Sequence, residues 1–428
     1  MKLELQNVFI EDVVLSDVTK IENKTLYVNQ EEMQNFLKEI EFVKDIKIDL
    51  AKPGEKVRII PVKDCIEPRF RVDRKNSFPG VTGDIEQLGD GITKVMKNVA
   101  VVTVGDIVGF QEGIIDMWSE GAKYTPFSKT LNIVVDISVV DGLKPHEHEL
   151  TARLVGLKAS EYVGKALKDC ACDEKEVYEL ESIAEDSEKY KELPKVVYAQ
   201  MVIAQGLLHD VYVYGVDVKK ILPTILHPNE ELDGAVVSGN CVAACDKITT
   251  YQHLNNSVIK ELYKEHGKTI NFIGQIIVPE LTTLDGKFRS CNQTVKLCKM
   301  LGADGVIISE EGYGNPDTDL VMISSGLEKA NIKSLLITDE CSGWEGDSQP
   351  LADAKKEACA VVSTGNVSHL LHLEKADRVI GDQNAIMNLA GGWDGCIDED
   401  TGEITCELNA VIGSTSEIGY HNLAVELH

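Results

Sequence analysis

The chain has 428 residues, enough for two or three domains. Its 43% hydrophobic and 26% charged residues are globular proportions and exclude a disordered chain. A formal net charge of −27 repels phosphate backbones, so nucleic acid is excluded as an expected partner, as is a basic role at a membrane surface.

The opening "MKLELQNVFIEDVVL" carries acids early and lacks the continuous apolar stretch of a signal peptide. No run approaches the roughly 20 apolar residues of a membrane helix. Eleven cysteines, spread from Cys65 to Cys406, form no dense framework and fit a reducing compartment. The expected location is cytoplasmic.

The first 145 residues read as β-rich. "KLELQNVFI", "DIKIDLA", "EKVRIIPV", "AVVTVGDIVGF" and "LNIVVDISVV" are short Val/Ile-rich runs separated by Gly, Asp, Asn and Pro. "PHEHELTARLVGLKASEYVGKALK" predicts a helix opened by proline, with Leu150, Leu154, Leu157 and Tyr162 as its apolar positions. Residues 172–193 are charge-rich and read as a helix or a mobile surface segment. "KVVYAQMVIAQ" and "HDVYVYGV" are two further strands.

After about residue 268 the pattern alternates. "TINFIGQIIVP" is a buried strand, "SCNQTVKLCKMLGA" a helix ending near Gly302, "DGVIISEEG" a strand, "DTDLVMISSGLEKANI" a helix and "KSLLITDE" a strand; "DAKKEA", "CAVVSTG" and "ADRVIG" continue the series. Strand–helix–strand order with short connections predicts a parallel sheet covered by helices. The expected fold is α/β: a β-rich α+β N-terminal half, then a C-terminal α/β domain with a mainly parallel sheet. Ligands of such sheets sit beyond the carboxyl ends of the strands. Here those loops are 309–319, 338–348 and 363–366, rich in Gly, Asp, Glu and Asn.

Four stretches carry candidate chemistry. "SGNCVAACD" reads as a strand and turn with two buried cysteines, Cys241 and Cys245, or as a self-cleaving bond between Asn240 and Cys241. Gly239 permits unusual backbone angles just before that bond, and a Cys241 thiol is the attacking group such cleavage needs. The residues alone leave both readings open. His146 and His148 in "HEHE", with His209, suit a metal site on a strand or a helix start where Glu147 and Glu149 favour the dipole. "GYGNPDTD", 312–319, suits an anion at a helix N-terminus, or an Asn-Pro turn with Asp or Thr capping the helix. Gln111, Glu112, Tyr124, Ser128 and Lys129 are polar groups among apolar strands, able to bind a zwitterion with Lys129 on its carboxylate, or simply loop residues.

"VGFQEGIIDM", "YTPFSKTLN", "GLKPHEHE", "QGLLHDVYVYGVDVKKILPTIL", "SGNCVAACDK", "EEGYGNPDTDL" and "LADA" together span the chain. With these segments the chain resembles the proproteins of the pyruvoyl-containing subunits of glycine reductase component B. The sarcosine reductase component shares the pattern, and the longer D-proline reductase proprotein is related. The resemblance implies self-cleavage at Asn240–Cys241, releasing a β-rich piece, 1–240, and an α/β piece, 241–428, with Cys241 converted to a pyruvoyl group. It implies a Schiff base between that group and the amine of glycine or sarcosine, displaced by a selenocysteine of a partner subunit. Selenoprotein A then carries the product, and component C releases acetyl phosphate, with ammonia as the other product. Segments 110–112, 124–129 and 206–210, with Gln111, Glu112, Tyr124, Ser128, Lys129, His209 and Asp210, are its candidate substrate residues. No metal is implied. An amidohydrolase with an amino-terminal Cys241 nucleophile and a metal-binding subunit that never cleaves are the alternatives.

Overall fold

The structure, a computed structural model, describes residues 1–109, 112–204, 211–239, 248–358 and 360–419. Two six-stranded sheets organise these residues. The first has the order Gly113–Asp116, Val57–Ile66, Val99–Gly105, Leu131–Val139, Val43–Ala51. Val57–Ile66 and Val99–Gly105 are buried at every position; the second is a nearly unbroken Val/Ala/Thr run, whereas the first also buries Arg58, Lys63 and Asp64. The sixth strand of this sheet is Arg378–Gly381, parallel to Val57–Ile66 and anchored by an Arg378–Asp49 ion pair of 2.6 Å.

The second sheet has the order Thr224–Leu226, Asn271–Glu280, Lys195–Ile203, Gly305–Ser309, Lys333–Glu340, Val361–Asn366. All its pairings are parallel except that of Thr224–Leu226. The helices Leu284–Leu301 and Asn315–Lys329 cover one face through Cys291, Cys298, Leu320, Ile323 and Leu327. Ser257–Glu265 lies on the other face through Val258, Ile259 and Leu262. The first of these helices ends at Gly302 in the left-handed conformation, φ 70°, where glycine has no Cβ penalty. The expected α/β class with a mainly parallel sheet is what the chain forms.

The sheets interlock across position 240. Lys195–Ile203, from before it, lies inside the parallel sheet, while Arg378–Gly381, from after it, joins the first sheet. The "ADRVIG" stretch therefore does not continue the parallel series, because its N–H and C=O groups meet the free side of Val57–Ile66 instead.

The helix expected from Pro145 runs Pro145–Gly164, and the Lys144 N–H donates to the Glu147 carboxylate at 2.9 Å. It is buried around most of its girth, not along one stripe: Ala152, Val155, Gly156, Ala159 and Val163 are inside, and Leu150 is 48% exposed. Leu150 is thus not a core position; it lies on the outward face, while Glu149 and Thr151 beside it are buried. Gly156 permits the close approach, since a Cβ there would stand 2.5 Å from Thr103 Cγ2.

Residues 172–193 resolve into both kinds of element. Glu174–Glu179 is an edge strand on Lys2–Phe9, and Ile183–Lys189 is a helix whose cap pairs Ser182 with Glu185. "DAKKEA" forms no helix; it closes one turn, Ala358 N–H to Lys355 C=O at 3.0 Å. A segment this short, without an apolar face to bury, does not repay helix nucleation.

Candidate functional site

The chain leaves the described structure at Gly239 and re-enters at Ile248, so Asn240, Cys241 and Cys245 lie outside the described residues. Both banks of this gap are tied together. The Ser238 N–H donates to Thr250 Oγ1 at 3.0 Å. That hydroxyl donates to Asp64 Oδ2 at 2.7 Å, and the Thr250 N–H donates to Asp64 Oδ1 at 2.9 Å. Thr250 opens a short helix, Thr250–Leu254, capped by Thr249 and Gln252. Asp64 comes from the Val57–Ile66 strand where its register shifts. Burial pushes its carboxyl up to about 6, even though the Thr250 bonds favour the ionised form.

Arg153 holds the same bank from the long helix. Its Nη2 reaches the Gly239 carbonyl at 3.3 Å, it pairs with Glu149 one turn back, and its guanidinium lies 3.8 Å over the Tyr212 ring. The planar group can serve all three at once, which a lysine ammonium cannot.

Behind Thr250 lies a closed polar hub. Glu231 accepts from Gln200 Nε2 and Asn256 Nδ2, both at 3.0 Å, and from Gln275 Nε2. His253 Nδ1 is 3.3 Å from the same carboxylate. All five residues are essentially inaccessible. Burial alone would lower the His253 imidazole, but the Glu231 contact, with Glu311 and Asp64 beyond it, holds the group above its ordinary value. Its Nε2 is buried with no hydrogen-bond partner among the described residues. A carboxylate on one imidazole nitrogen and an open second nitrogen is an arrangement suited to moving a proton.

Glu112 and Lys63 form a fully buried ion pair of 2.9 Å. Lys63 Nζ also donates to the Asp106 carbonyl at 2.8 Å, and the Val108 N–H donates to Glu112. Burial and the Lys63 charge push His148 down to about 4, against the pull of Asp106 and Glu112. His146 is exposed; two residues on, the helix has turned about 200°, so it does not share a face with His148. Among the described residues, no group of three or more His, Cys, Asp and Glu could hold a metal ion.

The carboxyl ends of the parallel strands are acidic. Glu311 accepts the Ile203 N–H at 2.8 Å, and its own N–H donates to Glu280 at 3.0 Å. Burial, then Asp317 and Glu280, push Glu310 well above the carboxylate range. Asp317 accepts the Gly314 N–H at 2.7 Å, so in "GYGNPDTD" the capping role is the one formed. Asp317 thus occupies the start of the helix Asn315–Lys329 as the acceptor of the N–H of its cap residue.

Of the remaining expected residues, Gln111, His209 and Asp210 lie outside the described residues. Tyr124 packs beside His369 with ring centroids 6.4 Å apart. The Ser128 hydroxyl is spent on the Ala122 and Thr125 carbonyls, at 2.7 and 3.0 Å. Lys129 is exposed and lines a cleft with Lys97 and Lys260. So Glu112 joins Lys63, while Tyr124, Ser128 and Lys129 sit on turns with other neighbours. The sequence reading missed Asp64, Arg153, Glu231 and His253. Two left a trace: Asp64 interrupts the apolar "RIIPVKDCI", and Arg153 interrupts "TARLVGL".

These features define an α/β protein with a buried polar centre at the junction of its two large sheets. The chain belongs to the family described as glycine/sarcosine/betaine reductase component B subunits, whose model matches residues 1–426; it is a family of oxidoreductase components. It is 51% identical over 427 residues to the glycine reductase complex component B subunits alpha and beta of Peptoclostridium acidaminophilum, covering all of both chains. It is 47% identical over 429 residues to the sarcosine reductase complex component B subunit alpha of the same organism, again covering both completely. A more distant relative is a D-proline reductase proprotein of Acetoanaerobium sticklandii, 23% identical over 341 residues, or 74% of this chain and 51% of that one. No solved structure matches the chain.

Proposed function

We propose that this chain is the precursor of the pyruvoyl-bearing subunits of a glycine reductase component B, cut between Asn240 and Cys241, with residue 241 becoming the pyruvoyl group. The observation that carries the reading is the end-to-end identity with a single chain described as two subunits, alpha and beta. The tied banks at Ser238 and Thr250 support it: a bond can be cut between them without loss of the surrounding hydrogen bonds.

The residues bordering the gap fit a carbonyl electrophile. His253 Nε2, buried without a partner among the described residues, suits proton exchange, while Arg153 donates to the Gly239 carbonyl on one bank and Thr250 Oγ1 accepts the Ser238 N–H from the other. Once formed, the pyruvoyl group supplies a ketone that captures the amine of glycine and makes its nitrogen displaceable by the selenocysteine of a partner subunit. The chain's own residues do the rest. Arg153 fixes the Gly239 carbonyl, Thr250 transmits the Asp64 anchor to Ser238, and Glu231 orients His253. The complex works in the cytoplasm, passing its product to selenoprotein A; no helix among the described residues is long and apolar enough to cross a membrane.

Sarcosine is the second substrate reading, favoured by the 47% relative. One N-methyl group is worth only about 1–3 kcal/mol in a pocket. Mass spectrometry of the purified protein tests the core of the proposal: two chains are expected, the second starting at residue 241 with pyruvoyl in place of cysteine. An intact chain, or a normal N-terminal cysteine, overturns it. Borohydride trapping with glycine and with sarcosine then separates the substrates.

A further inference from the structure

A cleft of about 600 Å³ opens where the edge strand Glu174–Glu179 and its neighbour Lys2–Phe9 meet the helix Ser257–Glu265. In a chain of net charge −27, four of its lining side chains are lysines: Lys97, Lys129, Lys260 and Lys264. Lys97 Nζ and Lys260 Nζ each donate to the same atom, Asn255 Oδ1, at 3.2 Å. The two ammonium groups are therefore no further apart than the sum of those distances. Like charges this close are held against repulsion unless an anion stands between them.

Two carboxylates stand at this pair and leave one positive charge over: Lys97, Lys260 and Arg69 face Glu67 and Glu176. Glu67 is engaged by Arg69 at 2.6 Å and by Lys97 at 2.8 Å. Glu176 accepts from Asn7 and from the Tyr178 hydroxyl, and it stands 3.7 Å from Lys260. Lys264 is taken by Glu261. Lys129, at the rim, has no ion-pair partner among the described residues. Part of the wall is apolar: Pro126, Phe9 and the ring of Tyr251, which Phe127 backs edge-on at 5.3 Å between centroids.

We propose that this cleft binds a small organic monocarboxylate, its carboxylate bridging Lys97 and Lys260 and its apolar body lying against Tyr251, Pro126 and Phe9. A monoanion suits the cleft better than a phosphate dianion, because Glu174, Glu176 and Glu261 also line it. The groups facing Lys260 are Lys97, Glu176, Glu67 and Arg69. Burial first, then the Lys97 charge, push the free Lys260 ammonium down to about 8. A bound carboxylate reverses this, so binding near pH 8 takes up a fraction of a proton, and binding at pH 6 takes up none.

Isothermal titration of the purified protein with butyrate, in two buffers of different ionisation enthalpy, tests the proposal. The expected result is binding with proton uptake at pH 8 that disappears at pH 6. Lys260→Met is expected to weaken butyrate about tenfold or more, the weight of one charge-assisted hydrogen bond, and to abolish the uptake. Lys129→Ala, at an exposed position, is expected to weaken it less and serves if Lys260→Met does not fold. No butyrate binding at millimolar concentration, equal binding without proton uptake, or inorganic phosphate bound as tightly as butyrate overturns the proposal.

Discussion

Ser238 and Thr250 are joined by one hydrogen bond of 3.0 Å, although twelve positions separate them in the chain and the segment 240–247 lies between. The bond turns the two ends of that segment into a fixed base, and Asp64 fixes the base to the first sheet.

Asp64→Asn is expected to change the pH dependence of stability. The folded carboxyl titrates near 6, above its ordinary 3.8, so the folded chain binds this proton more tightly than the unfolded one. Its contribution is therefore present in full below about pH 4 and is lost as pH rises through about 6, by up to about 3 kcal/mol. Urea unfolding of Cys241→Ala and of Cys241→Ala/Asp64→Asn, at pH 4 and pH 7, checks the sign. The asparagine variant should lack that fall.

Arg153→Lys is expected to keep the fold and slow the appearance of the two chains. The lysine can still pair with Glu149, but it cannot also hold the Gly239 carbonyl and stack on Tyr212. The rate is read from the band of the intact chain after a pulse of synthesis. Cleavage at the unmodified rate would show that Arg153 is a packing residue only.

Glu231→Ala strips Gln200, Gln275, Asn256 and His253 of their common acceptor in a site closed to water. Each donor left unsatisfied costs about 1–3 kcal/mol, so a loss of several kcal/mol is expected. Denaturant melts would show it, and a change under 1 kcal/mol would mean that the hub rearranges around water.

Gly156→Ala places a Cβ 2.5 Å from Thr103 Cγ2 and 3.1 Å from Ile66 Cδ1. In a mid-helix position alanine is normally the better residue by about 1 kcal/mol. Here overpacking of about 1–3 kcal/mol opposes it. Net destabilisation in a thermal melt is expected, and stabilisation would show that the helix can slide outward.

The parallel sheet was legible because its strands are predominantly apolar and Gly302 marks where a helix must stop. What local pattern lacks is the identity of a strand's neighbour. Lys195–Ile203 and Arg378–Gly381 read as strands, yet nothing within either stretch says which sheet it joins. Glu174–Glu179 was ambiguous for a related reason: an edge strand with exposed Glu and Lys keeps little apolar alternation. The site was legible only in part. Cys241 stands in a recognisable segment, whereas His253 and Glu231 are single polar residues whose meaning arises from a contact across 22 positions.

The exchange of strands between the two large sheets sets an order of events. During synthesis, Lys195–Ile203 emerges long before its neighbours Asn271–Glu280 and Gly305–Ser309, and Val57–Ile66 waits for Arg378–Gly381. Neither half has a finished sheet until nearly the whole polypeptide has left the ribosome. A break near residue 240 made earlier would separate partners that had not yet met. Made later, it would leave two polypeptides woven through each other, parted only by unfolding. If the chain is cut as proposed, its topology would time that maturation, with assembly first and scission after.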